Sequence, residues 1–167
     1  MFLIRHECGS LVFFDTPGRA SGLAVSGSLV YVADEESGLR VIDISNPARP
    51  REVGFIDTPG QARKIALSGI FAYVADGEGG LRIVDVSNPA APQERGSLGE
   101  CCVTDVVVSG GLVYLATSEG VWVIDVSNPA SQRLQASFPL PVEALGIAVS
   151  GDLVFVADDV AQLFILR

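Results

Sequence analysis

A near-identical string returns four times along this chain. Tyr-Val-Ala-Asp begins at Tyr31 and again at Tyr73, then reappears as Tyr-Leu-Ala-Thr from Tyr114 and Phe-Val-Ala-Asp from Phe155. The starts lie 42, 41 and 41 residues apart. Self-similarity at a fixed period of this size means an array of one supersecondary unit, because a single unit cannot bury its own apolar face. Each copy has the same setting. A Ser-Gly pair precedes it (Ser26-Gly27, Ser68-Gly69, Ser109-Gly110, Ser150-Gly151), and a second apolar run follows, starting at Leu39, Leu81, Val121 and Leu163. The first three of those runs end in Ser-Asn-Pro, and a further segment such as REVGFIDTPG from Arg51 comes next. Four short strands in each 40-odd residues predict the blade of a β-propeller.

The punctuation fits strands and excludes helices. Ser-Gly between two apolar runs supplies the positive φ that a tight hairpin needs. Asn before Pro favours extended geometry and opens a turn, which ends the third strand. Eighteen glycines and nine prolines would interrupt helices repeatedly, and no 3.6-residue periodicity runs through the chain.

The ends of the chain are out of phase with the repeat. The last unit stops at Arg167 after its third strand, while GSLVFFDTPG from Gly9 matches the fourth-strand segment VGFIDTPG from Val53. The expectation is therefore one domain over residues 1–167, an all-β, four-bladed propeller of four-stranded antiparallel blades. Its units are about 19–60, 61–101, 102–142 and 143–167 plus 9–18, so that the N-terminal strand completes the last blade and closes the ring. A monomer is expected. The alternative is exchange of that strand between two chains to make an eight-bladed ring.

With 167 residues, the chain has the size of one domain and can bury a core of its own. It is 49% apolar with a mean hydropathy of +0.41, which excludes disorder. The longest uninterrupted apolar run, Ile70 to Ala75, is far short of the roughly 20 residues that span a bilayer, so membrane insertion is not expected. A net charge of −9 argues against nucleic acid as a partner, since phosphate backbones attract clusters of Lys and Arg. The N-terminus lacks a basic stretch followed by an apolar one, so no signal peptide is read there. Cys8, Cys101 and Cys102 are odd in number and contain no C-x-x-C, which does not describe a disulfide framework.

The cores LRVIDISNP, LRIVDVSNP and VWVIDVSNP resemble the LVIVD repeat, over roughly residues 9–167. The resemblance implies a bacterial or archaeal β-propeller, of a kind often associated with the cell surface. It assigns no chemistry, and this chain has fewer repeats than such proteins usually carry.

Candidate sites lie where the copies agree on a polar residue or where they differ. Asp43, Asp85 and Asp125 recur two residues before Ser-Asn-Pro, and their expected role is to accept hydrogen bonds from turn amides. In the inner-strand register, Gly22, Lys64, Asp105 and Gly146 align, preceded by Ser21, Arg63, Thr104 and Leu145. Lys64 and Asp105 from neighbouring blades form either an interblade salt bridge or, with Arg63 and Thr104, a polar ligand site at the channel mouth.

Twelve of the twenty acidic residues fall in loops expected on one face. Asp34, Glu35, Glu36, Asp76, Glu78, Glu119, Asp158 and Asp159 sit between second and third strands, and Asp15, Asp57, Glu100 and Glu143 between blades. They represent ordinary surface polarity or an acidic face that steers a basic protein. No loop has the D-x-[DN]-x-[DN]-G spacing of a calcium site, and one histidine, His6, cannot build a His-based zinc site, so no metal or other cofactor is expected. Adjacent Cys101 and Cys102 are either a vicinal redox pair or simple thiols. Trp122 stands where other copies have Arg40 and Arg82, as blade packing or as a partner's anchor. With no nucleophile–base pair in view, the expected function is a non-enzymatic interaction module working through its loop faces. The alternative is a small-ligand-binding or enzymatic propeller using the channel.

Overall fold

The structure is a computed structural model, describing residues 5–6, 9–99, 102–160 and 162–167. Its elements are strands β1 (Arg5–His6) and β2 (Gly9–Ser10), then β3 (Gly22–Ser26), β4 (Leu29–Ala33), β5 (Leu39–Asp43) and β6 (Arg51–Ile56). The second unit holds β7 (Lys64–Ser68), β8 (Phe71–Ala75), β9 (Leu81–Asp85) and β10 (Gln93–Leu98). The third holds β11 (Val103–Ser109), β12 (Leu112–Thr117), β13 (Gly120–Asp125) and β14 (Arg133–Pro139). The last holds β15 (Ala144–Ser150), β16 (Leu153–Asp158) and β17 (Leu163–Leu166).

Each unit is an antiparallel meander whose spatial order is its sequence order. The Ser-Gly pairs behave as their chemistry requires. Gly27, Gly69, Gly110 and Gly151 all take φ between 58° and 60°, turning the first strand into the second within two residues. The third strand ends where the Asp accepts from the Ser two residues on: Ser45, Ser87 and Ser127 each donate a backbone amide, at 2.8, 3.0 and 2.8 Å, to Asp43, Asp85 and Asp125. Asn46, Asn88 and Asn128 then accept the amides of Ala48, Ala90 and Ala130, so the whole Ser-Asn-Pro segment is a pair of Asx turns. In each of the first three units the outer strand carries a register shift against the third strand.

Burial is interblade. One face of each sheet, called leading below, packs on the opposite, trailing face of the next. Tyr31, Ala33, Leu39 and Val41 lead onto Ile65, Ala72, Val74, Val84 and Val86. Tyr73, Ala75, Leu81 and Ile83 lead onto Val106, Val113, Leu115, Ile124 and Val126. Ala116 and Val121 lead onto Ile147, Val154 and Val156. The apolar alternation of the repeats is thus divided among three interfaces rather than pooled in one core.

One expectation is corrected. The last sheet, β15-β16-β17, has three strands among the described residues, and residues 11–20 form no strand. The displaced strand does not close the ring here. The corner that follows it is nevertheless in place. Thr16 donates its hydroxyl to Asp34 and Gly18 its amide at 2.8 Å, as Thr58 and Gly60 do to Asp76.

Candidate functional site

The inner strands bring the variable register to one place. Ser21, Arg63, Thr104 and Leu145, one from each unit, line a single open cavity of about 460 Å³ together with Arg19, Glu35, Gln61 and Lys64. A second cavity of about 580 Å³ adjoins it through shared Gln61 and Arg63, and is walled by Glu36, Glu78, Arg82 and Cys102 among others. The two form a groove whose inner end carries Arg19, Arg63 and Lys64 beside Glu35, and whose outer end carries Glu36 and Glu78 beside Arg63 and Arg82.

The four residues expected at the channel mouth separate into two pairs. Lys64 is exposed, and Arg63 is half-buried with a guanidinium N–H donated to Gln61 at 3.2 Å. Both face the cavity. Asp105 does not join Lys64 among the ion pairs of the described residues. Its carboxylate instead accepts the Val106 amide at 2.8 Å and the Ile147 amide at 3.0 Å, stapling β11 to β15. Thr104 is buried, and its hydroxyl donates to carbonyls of Ala116 and Ala144. The repeat alignment puts Thr104 and Asp105 in the inner-strand register but gives no sign that both hold the third blade to the fourth.

The acidic loop residues also divide. Asp34 and Asp76 are fully buried and serve the Thr-Pro-Gly corners, so neither carboxylate offers a docking surface. Burial pushes the Asp76 carboxyl above the usual range, opposed by hydrogen bonds from Thr58 and Gly60 and by Arg82, 3.6 Å away. Asp158 is buried too, accepting the amides of Val160 and Gln162 at 3.1 and 2.6 Å. Glu36, Glu78 and Asp159 remain exposed.

Glu35 is a case apart. It occupies the left-handed region (φ 46°), where Gly77 stands in the next unit at φ 58°. Both make the same two-way backbone bridge to the following blade, Glu35 with Ala62 and Gly77 with Val103. The glutamate side chain then accepts the Ser21 hydroxyl at 2.7 Å and lies 3.6 Å from Arg19. In the sequence Glu35 counts only as one acid of the loop face; its positive φ on the wall of a cavity shows in the structure, by comparison with Gly77.

Other candidates resolve simply. Trp122 is half-buried against the interface between the second and third units, as packing. Its counterpart Arg40 lies 4.5 Å over the Phe55 ring and 3.3 Å from Asp57. Cys102 is half-buried. Cys8, Cys101, Glu100 and the His6 side chain lie outside the described residues, and so does any pairing of Cys101 with Cys102.

Comparison with known proteins agrees with this geometry. The chain is similar to the computationally designed Ika4 protein, at 14% identity and a TM-score of 0.74 over 91% of this chain and 92% of that one. It is also similar to the designed Ika8 protein (14%, TM-score 0.70, 87% of this chain and 45% of that chain). BamB from Moraxella catarrhalis aligns likewise (14%, TM-score 0.67, 92% and 48%). The chain therefore spans about half the length of the latter two. Identities this low carry the fold alone, and the fold is a β-propeller repeat module of four blades. The LVIVD repeat model matches residues 17–58, 59–99, 102–139 and 143–166, and the chain belongs to the LVIVD repeat family. No curated protein matches it.

Proposed function

We propose that this chain is a non-enzymatic binding module that docks a protein partner through the loop-face groove. One observation carries the reading: residues that the repeats share are spent on hairpin turns and on the buried interblade faces, whereas the register in which they differ lines the groove. Rigid blades hold these unlike side chains at fixed spacing, which suits recognition without a catalytic constellation. The outer end, with exposed Glu36 and Glu78, selects a basic segment, and charge steering makes its capture salt-dependent.

A lysine-rich peptide tests this. Its binding weakens steeply with added salt and falls several-fold in a Glu36→Lys/Glu78→Lys variant, but not in Glu94→Lys on an outer strand. Equal loss in both variants, or salt-insensitive binding, overturns the reading.

A second reading, a small-ligand site for an anion, rests on the cations Arg19, Arg63 and Lys64 around the inner cavity. Inorganic pyrophosphate that raises the melting temperature of the wild type, but not of Arg63→Ala/Lys64→Ala, supports it. No shift in either sinks it.

A further inference from the structure

The three interblade joints define what a finished joint looks like, and the two ends of the arc do not meet that standard. Leu39, Val41, Leu81, Ile83 and Val121 on the leading faces are fully buried. Their counterparts in the last blade, Leu163 and Ile165, are 65% and 59% exposed. On the trailing side, Ile65, Val106 and Ile147 are buried, whereas their counterpart Leu23 is 68% exposed and Val25, two residues on, is 57% exposed.

Among the described residues the edge of β17 has no partner strand either, where β5, β9 and β13 each have an outer neighbour. Residues 11–14 are the sequence match to that neighbour. They are unpaired, with Leu11 63% and Phe13 73% exposed, yet the corner after them is already seated on Asp34. A bare sheet edge beside an apolar face is a template for another strand and another sheet.

We propose that a second copy of this chain fills both vacancies. Each chain lays residues 11–14 along β17 of the other, and the last blade's leading face packs on the other's first trailing face. The chemistry of the occupant follows from the interfaces already formed: a leading face is covered by a trailing face, and the one uncovered trailing face is that of the first blade. Inner strands pack in succession, β3 on β7, β7 on β11 and β11 on β15, and the arc they form leaves the two end faces bare.

The same arc superposes on about half of two longer chains. Two copies present two leading and two trailing ends, so a two-fold pair closes as eight blades with no face left over. Eight blades lie within the range that propellers adopt. The proposal is independent of the groove and of any ligand.

Register makes it testable. Arg40 faces Phe55 across β5 and β6, and the equivalent pair across the seam is Phe164 and Phe13. Facing residues on antiparallel strands lie within disulfide reach, about 4.5–5.5 Å between Cα atoms. With Cys8, Cys101 and Cys102 replaced by Ser, a Phe13→Cys/Phe164→Cys chain is oxidised and run on a non-reducing denaturing gel. A covalent dimer is the expected result. A chain cross-linked only to itself shows closure within one molecule and overturns the proposal, and so does a chain that does not cross-link at all. Because the variant's fold is itself at risk, light scattering on the wild type provides an independent measurement. A mass of about twice 17.5 kDa is expected, and 17.5 kDa overturns the proposal.

Discussion

Replacing Asp76 with Ala removes the acceptor that seats the second blade-connecting corner. Its carboxylate is fully buried and takes the Thr58 hydroxyl on one oxygen and the Gly60 amide, at 2.9 Å, on the other. Hydrogen bonds to a charged acceptor contribute about 1.5–3 kcal/mol each, so the gross loss is about 3–6 kcal/mol. Against this stands the cost of holding a carboxylate away from water, which the upward push on its pKa reports. Arg82, 3.6 Å from the same carboxylate, loses one of its two counter-charges and keeps Glu94, also 3.6 Å away, which adds a smaller amount to the loss. The net expectation is about 2–4 kcal/mol. At about 2–4 °C per kcal/mol for a domain of this size, the midpoint of thermal unfolding falls by roughly 4–16 °C. Thr58→Val separates the two bonds. It keeps the Gly60 amide bond and loses only the hydroxyl, so it costs about 1.5–3 kcal/mol. Circular dichroism melts and urea titrations of both variants are the assay. An Asp76→Ala chain within about 1 kcal/mol of wild type, less than one charged hydrogen bond, refutes the assignment of this carboxylate as the corner's anchor.

Three further outcomes are expected. Asp43 is held at about 2, first by the Ser45 amide and hydroxyl and then by Arg51. A depressed folded-state pKa contributes stability above the unfolded value near 3.8 that is lost as pH falls toward 2. Denaturant titrations between pH 5 and 2 (roughly the span of both pKa values) therefore show an acid limb that Asp43→Asn flattens. Asp76 has the opposite sign, because a raised carboxyl gains relative stability as it protonates. Gly54→Ala drives a Cβ into the carbonyl of Pro89 in the next blade's Ser-Asn-Pro turn, with Ala90 behind it at 3.0 Å. A loss of about 1–3 kcal/mol in urea unfolding is expected from such overpacking, and no loss would detach that turn from the interface. Glu35→Gly relieves a left-handed glutamate, so its melting temperature equals or exceeds that of the wild type, while Gly77→Ala falls by about 1–2 kcal/mol.

Backbone physics was the most legible part of the sequence. Ser-Gly and Ser-Asn-Pro each demand a local conformation that hardly depends on distant contacts, and each copy takes it. The role of Asp34 and Asp76 was not legible, because an acid in a hairpin loop resembles any solvated acid. The signal lay in pairing: Asp-Thr-Pro-Gly occurs twice, and in each case its Thr stands 18 residues before the Asp that receives it. Thr117 replaces that Asp in the third unit, where the preceding linker lacks Thr-Pro-Gly. The exposure of Leu163 was also invisible, since it matches Leu39 in pattern. Burial belongs to the neighbour, and pattern alone does not say whether the neighbour is present.

Amide NMR on the labelled chain, titrated with the lysine-rich peptide, tests the proposed function most directly. The account predicts shifts confined to the loops around Glu36, Gln61, Arg63 and Glu78, with the outer strands β6 and β10 unmoved. Shifts centred on those outer strands, or scattered over all acidic surface residues alike, contradict it.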